Sequence, residues 1–294
     1  MNTLRFAPLV ALATLLTSNA LASITGYTVN LNASASTYTD SFQRWATAPE
    51  DAQGFTWGST FGTGGGGGLE VTNTSGNNLY YRPSPASDAT STFNIAGLAA
   101  GVKFDSSLDF KWANTASTEL TSITMGFTPS RAQASLTSAG ALAGSLIRTG
   151  GGSVVTLRMR NGTTNAGTTL DFNQSTLTAG NWYRLTYSLT KTSTANTFDY
   201  TVTLYSIGAD GTSTATVFND GTTNITLSGS VTNSSIYGDS DAFFGYDIRD
   251  TTSSTGISHV DNFAVTSAIP EPSAFALVAG FLAIGFASTR RRRA

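Results

Sequence analysis

The 294-residue chain has no cysteine and one histidine, and 12% of its side chains are charged. The missing cysteines exclude disulfides, a thiolate zinc site, a cysteine nucleophile and an iron–sulfur cluster. His259 is the single imidazole and no G-x-S-x-G turn precedes it, which disfavours a zinc or copper enzyme and a Ser/His/Asp hydrolase. The net charge of −2 lacks the basic surplus of a nucleic-acid-binding protein.

Small polar residues take the place of the missing charges. Threonine, serine, asparagine and glycine together supply 131 residues, and 31 aromatic residues stand among the 40% of apolar ones. Such a composition is poor in helix formers and rich in strand and turn formers. It predicts an all-β protein with enough apolar residues for a core.

The N-terminal residues 1–22 have the order of a secretory signal peptide. Arg5 precedes an apolar run that is followed by the small-residue site Ala20-Leu21-Ala22, so we expect cleavage after Ala22. A buried N-terminal helix is the alternative that the residues leave open.

The C-terminal residues 270–294 have three parts. Pro270-Glu271-Pro272 leads into the uncharged segment 273–289, which spans about 25 Å as a helix, close to the ~30 Å of a bilayer core. The positive-inside rule places the basic end on the cytoplasmic side and the body on the other side. The basic residues are Arg290, Arg291, Arg292 and Arg293.

This motif, span and basic terminus resemble the PEP-CTERM sorting signal of Gram-negative bacteria that make extracellular polymer. The resemblance implies recognition by an exosortase-type membrane transpeptidase, removal of the tail near Pro-Glu-Pro, and delivery to the cell surface or polysaccharide matrix. A plain tail anchor is the alternative.

The remaining body, residues 23–269, carries 11 Lys and Arg against 17 Asp and Glu, a net charge of about −6. Alternating apolar and polar residues predict strands around residues 108–112, 123–127, 155–159 and 260–265. The clearest hairpin pairs residues 183–190 with 198–204. The Ala- and Gly-rich segments 98–102 and 135–146 are instead predicted to form a short helical turn or a long loop.

The body also resembles concanavalin-like, or laminin-G-like, jelly rolls. The matching pieces are the Gly-rich entry Gly62 to Gly68, the strand Asn181-Trp182-Tyr183-Arg184-Leu185, and the closing run from Ile257 to Val265. The resemblance implies an antiparallel β-sandwich whose last strand pairs centrally beside the chain's entry.

Few residues suggest a site. Trp182 is out of phase with its strand, which makes it a candidate glycan contact, with packing at the sandwich edge as the alternative. Asp239 and Asp241 are a candidate calcium pair or a solvated turn. The glycines from Gly64 to Gly68 lack the lysine of a phosphate-binding loop and predict a flexible surface loop.

Three functions follow from these features. The first is a non-enzymatic, exported surface or matrix protein with a structural or adhesive role, and the alternative is a carbohydrate-binding, lectin-like module. A glycoside hydrolase is the least favoured, because the three glutamates Glu50, Glu70 and Glu119 are far apart in sequence.

The sorting hypothesis makes a direct prediction. Replacing Pro270, Glu271 and Pro272 by alanine removes the recognition motif, so the variant is expected to stay in the membrane at unprocessed mass. Fractionation and intact mass spectrometry measure this, and processing and release like the parent protein would contradict the sorting assignment.

Overall fold

A computed structural model describes the body of the chain in nine segments. The described residues are 27–29, 42–43, 55–71, 79–83, 92–113, 120–129, 136–149, 152–250 and 256–268. The predicted signal peptide with Ala20 and Ala22, and the predicted sorting signal at 270–294, lie outside them. Within the described residues, no helix combines the length and apolar character that a membrane span requires.

The described elements are almost all strands. The first nine are β1 (Tyr27–Val29), β2 (Phe42–Gln43), β3 (Phe55–Gly58), β4 (Gly68–Val71), β5 (Leu79–Pro83), β6 (Thr92–Phe93), β7 (Lys103–Trp112), β8 (Thr121–Thr128) and β9 (Leu142–Arg148). The second nine are β10 (Val154–Asn161), β11 (Thr164–Asn165), β12 (Leu170–Asn173), β13 (Trp182–Lys191), β14 (Thr197–Gly208), β15 (Thr216–Val217), β16 (Thr226–Thr232), β17 (Ala242–Asp250) and β18 (Ile257–Ala268). The α-helix α1 (Ser234–Tyr237) is a single turn.

The strands form two antiparallel sheets of nine strands each. The first sheet has the order β15-β14-β13-β7-β18-β4-β3, with β1 also paired to β18 and β16 to β14. The second has the order β11-β10-β9-β8-β17-β5-β2, with β12 also paired to β10 and β6 to β17. The predicted pairing of the closing strand is confirmed, because β18 lies between β7 and β4 and also pairs with β1.

The two sheets pack face to face around one core. Phe104 of the first sheet meets Phe127 of the second edge to face, with ring centroids 5.0 Å apart, and Tyr246 meets Phe263 in the same way at 5.0 Å. Edge-to-face pairs of this kind add to the stabilisation that burial of apolar area supplies. The all-β sandwich predicted from composition and alternation is confirmed.

The predicted hairpin is the best-formed part of the first sheet. Strands β13 and β14 pair along ten positions, from Trp182 with Gly208 to Lys191 with Phe198. The strands predicted around residues 108–112, 123–127, 155–159 and 260–265 are also present, as β7, β8, β10 and β18.

The prediction for residues 135–146 is wrong in its second half, where β9 begins at Leu142. Glycine disfavours strands on average, but at Gly144 the facing sheet leaves little room for a side chain. A Cβ added at Gly144 would lie 2.9 Å from Cδ2 of Tyr187 and 3.0 Å from Cγ2 of Val202. Gly144 therefore marks a place where the two sheets approach closely.

This close approach predicts the effect of one methyl group. Gly144→Ala should lower the free energy of unfolding by about 1 to 3 kcal/mol, because Tyr187 and Val202 must move to admit the Cβ. Gly152→Ala is the matched control, since the nearest atom to its Cβ would be 3.7 Å away. Urea unfolding measures both variants, and equal stability would contradict the close packing at Gly144.

Candidate functional site

A polar groove of about 320 Å³ lies on the outer face of the first sheet. Ser107 and Ala264 are opposite each other on β7 and β18, and these small residues form its floor. Longer side chains on both sides form its walls. The residues that line the groove are Lys103, Asp105, Ser106, Ser107, Arg184, Thr186, Ser188, Tyr205, Ala264 and Thr266.

The charged groups of the groove are paired with one another. Lys103 Nζ lies 2.7 Å from Asp105 Oδ1, and the Ser188 hydroxyl donates a hydrogen bond to the same carboxylate oxygen. Arg184 donates two hydrogen bonds to Asp109, from Nε to Oδ1 at 2.6 Å and from Nη2 to Oδ2 at 2.8 Å. The groove therefore presents polar groups without a strong excess of either charge.

Asp109 is fully buried although it belongs to the outward face of β7. Asn262, in the left-handed conformation at φ 51°, donates from Nδ2 to Asp109 Oδ2 at 2.8 Å and to Thr63 Oγ1 at 3.0 Å. Thr63 donates from its backbone N and its hydroxyl to Asp261 Oδ2, both at 3.0 Å. Two buried carboxylates thus join the Gly-rich loop to β7 and β18.

The pKa of Asp261 is raised above its ordinary value. Burial is the main cause and the nearby Asp109 adds to it, while hydrogen bonds from Thr63 and Asn262 act in the opposite direction. These hydrogen bonds hold the Asp261 carboxylate between the Gly-rich loop and β18.

The Gly-rich loop is exposed at Gly64 and Gly65, as predicted for a surface loop, and packed at its two ends, where Gly62, Gly67 and Gly68 are buried. A Cβ at Gly62 would lie 2.2 Å from the Gly67 carbonyl oxygen and 2.7 Å from Asp261 Oδ2. Gly64 has φ 65° and donates its N–H to the Asp210 carbonyl at 2.6 Å. The glycines let the loop approach its own backbone and the buried carboxylate.

Trp182 has 3% of its surface exposed, so its ring cannot serve as the predicted glycan contact. It lies at a register shift between Trp182 and Tyr183 where β13 meets β14. The turn at Gly211 covers the indole, since a Cβ there would lie 3.1 Å from Trp182 Cγ. The packing alternative that the sequence left open is the one the structure shows.

His259 is a half-buried residue of β18. Its Nδ1 lies 3.0 Å from Ser258 Oγ, and its ring meets Phe61 at 5.1 Å. The pKa of His259 is lowered mainly by burial and further by Lys111, with Glu70 opposing the shift. It lies beside Trp182 and does not line the groove.

The described residues do not provide a glycosidase pair in the groove. Such enzymes use two carboxyl groups about 5 to 10 Å apart on either side of the bond they cut. Asp105 is the one carboxylate among the groove's described lining residues. Glu50 and Glu119 lie outside the described residues, and Glu70 pairs with His259 between β4 and β18.

Asp239 and Asp241 form a turn before β17. The Asp241 N–H donates to Asp239 Oδ1 at 2.8 Å, and Ser240 Oγ donates to Asp241 Oδ2 at 3.0 Å. Across the described part of the chain, no three His, Cys, Asp or Glu residues come together as metal ligands. Calcium binding by this pair stays a prediction.

No protein-family model and no curated protein matches the sequence. Solved structures with a similar course of the chain include arcelin-5, a lectin-like defense protein from Phaseolus vulgaris, at 13% identity and TM-score 0.43, covering 83% of this chain and 99% of that one. An endo-1,3-beta-glucanase from Streptomyces sioyaensis has 12% identity and TM-score 0.45, covering 84% and 96%. The carbohydrate binding module CBM66 from Bacillus subtilis has 9% identity and TM-score 0.30, covering 79% and 97%.

The two ion pairs of the groove predict different losses of stability. Arg184→Ala leaves the buried Asp109 carboxylate without its cation and should cost about 2 to 3 kcal/mol. Lys103→Ala removes a cation from a pair whose side chains are 46% and 43% exposed, and should cost less than about 1 kcal/mol. Urea unfolding of both variants measures the difference, and equal losses would show that the Arg184 pair is not the stronger one.

Proposed function

We propose that the chain is a non-enzymatic, exported surface or matrix protein whose β-sandwich binds carbohydrate in the groove of the first sheet. The observation that carries this proposal is the groove itself, with its small floor, hydroxyl-bearing walls and paired charges. Among the functions suggested by the sequence, this favours the lectin-like alternative as the role of the body.

The chemistry of the walls suits a neutral sugar. Thr186, Ser188 and Thr266 carry hydroxyls, which both donate and accept hydrogen bonds as sugar hydroxyls do. Tyr205 stands opposite Arg184 in the β13–β14 pairing and adds an aromatic surface on which an apolar sugar face can rest. Because Lys103 and Arg184 already have carboxylate partners, an uncharged glycan fits the groove better than an anionic one.

Export and sorting belong to the same proposal. The signal peptide at 1–22 and the sorting signal at 270–294 support delivery through an exosortase-type system to the surface or matrix. The concanavalin-like connectivity is also proposed, and the pairing of β1 with β18 supports it. Because β1 and β18 are adjacent, a C-terminal anchor would leave the sandwich next to the point where the N-terminal part of the chain enters it.

Affinity electrophoresis tests glycan binding. The full-length protein in neutral detergent is run through gels containing laminarin, xylan, galactomannan or hydroxyethyl cellulose. We expect retardation by at least one of them, and at least tenfold weaker binding after Tyr205→Ala or after Ser107→Leu, which fills the floor.

Trp182→Phe is the matched aromatic control and should bind as the parent does, because the ring is buried. Thermal unfolding verifies that each variant is folded. Absence of retardation in every gel would contradict the proposal, as would folded groove variants that bind like the parent. Release of reducing sugar from any of the polymers would contradict the non-enzymatic assignment.

A further inference from the structure

The groove of the first sheet is part of a longer row of polar side chains. The row crosses five neighbouring strands, and its members are paired in register, which places them side by side on the outer face. Strands lie about 4.8 Å apart, so four steps give the row a length of roughly 19 Å. From β16 to β18 its members are Ser228, Thr201, Ser188, Asp105 and Thr266.

The row is accessible along its whole length. Ser228 and Thr266, at its two ends, are exposed, and the three residues between them are partly exposed. Ser188, Asp105 and Thr266 also line the groove. Among the described strands β16 pairs with β14 alone, so the row reaches an edge of the sheet. A ligand in the groove can therefore continue along the row beyond Ser188, over Thr201 and Ser228.

Ion pairs bound the groove along the strand direction. Lys103, paired with Asp105, lies at one end of the groove, and Arg184, paired with Asp109, lies at the other. Across the strands, the row continues instead with short hydroxyl-bearing side chains on β14 and β16. The groove is therefore open across the strands, in the direction of the row.

The chemistry of the row suits an uncharged ligand with many hydroxyls. The hydroxyls of Ser228 and Thr201 can each donate and accept a hydrogen bond. In the described part of the chain, the side-chain contacts of Asp105 with Lys103 and Ser188 both use Oδ1, which leaves Oδ2 to accept from a ligand hydroxyl. Every strand that the row crosses thus offers a group that can hydrogen-bond a sugar.

We propose that the row binds an internal stretch of a linear, β-1,4-linked neutral glycan, which lies across the strands and continues past both ends of the row. The glycan occupies the groove of the proposed function, on which this inference rests. A β-1,4-linked chain is extended, and each sugar advances it by nearly the spacing between β-strands, so successive sugars meet successive strands. A β-1,3-linked chain winds into a helix, and its sugars leave a straight row. Because both ends of the row are exposed, the glycan's own ends lie outside the site.

Affinity electrophoresis of the full-length protein tests the linkage. We expect retardation by xylan, galactomannan or hydroxyethyl cellulose, whose backbones are β-1,4-linked, and at least tenfold weaker binding to laminarin, which is β-1,3-linked. Retardation by laminarin alone would overturn this inference and would still support the proposed function. Retardation by none of the four polymers would overturn both.

Calorimetric titration with oligosaccharides tests the length of the site. The probes are the disaccharide and the hexasaccharide of the xylo-, manno- or cello- series that matches the retarding polymer. The hexasaccharide should bind at least tenfold more tightly, because it also reaches the part of the row beyond the groove. Borohydride reduction of its terminal sugar should leave its affinity unchanged. Equal affinity for the two lengths, or loss of binding after reduction, would overturn the proposal.

The double variant Thr201→Val and Ser228→Ala removes two hydroxyls of the row and keeps the β-branched shape at position 201. It should bind the hexasaccharide at least fivefold more weakly than the parent and the disaccharide equally well, because the disaccharide stays within the groove. Thr232→Val is the matched control, since Thr232 is exposed on β16 four residues beyond Ser228, and it should bind both sugars as the parent does.

Ser228→Ala alone is the second variant, and its exposed position makes it tolerant of the change. It should weaken hexasaccharide binding at least twofold, and it carries the test if the double variant does not fold. Folded variants that bind the hexasaccharide like the parent would overturn the proposal. Loss of binding in Tyr205→Ala is measured separately, so failure of the row is distinguishable from failure of the groove.

Discussion

The bidentate ion pair between Arg184 and Asp109 is the interaction on which the outer face of the first sheet depends. It places a carboxylate with no exposed surface on a strand face that would otherwise be open to solvent. A buried charge of this kind is tolerated only with a full set of partners, and Asn262 supplies the remaining one. Through Asn262 and Thr63 the same network fixes the Gly-rich loop against β18.

The chemistry of the groove follows from this network. Because Arg184 is paired with Asp109 and Lys103 with Asp105, carboxylates of the protein itself neutralise the positive charges of the groove. A matrix protein that holds a neutral glycan in this groove would have the adhesive role expected from the sequence.

Alternation of apolar and polar residues was enough to predict the sandwich and its central hairpin. It worked for β13 and β14 because Leu185 and Val202 are fully buried, while Arg184 and Thr201 beside them in sequence are only partly buried. It missed β9, where Gly144 is required by the close approach of Tyr187 and carries no apolar signal. Local sequence also placed Trp182 at the surface, because the turn that covers it begins more than twenty residues later.

The candidate site was harder to predict than the fold, for a different reason. The groove is assembled by register across strands that are distant in sequence, as when Ser107 of β7 lies opposite Ala264 of β18. The residues themselves are visible as the polar positions between buried ones on β7 and β13. Only the pairing of the strands shows which of those positions lie side by side on the same face of the sheet.

Hydroxyl-radical footprinting of tyrosine side chains tests most directly whether a glycan occupies the groove of the first sheet. The full-length protein is oxidised with and without a saturating amount of the neutral polysaccharide that retards it in gels. Glycan bound in the groove is expected to slow the oxidation of Tyr205 several-fold and to leave the oxidation of Tyr237, which packs against Lys191 away from the groove, unchanged. Equal oxidation of Tyr205 in the free and saturated protein would contradict glycan binding in the groove.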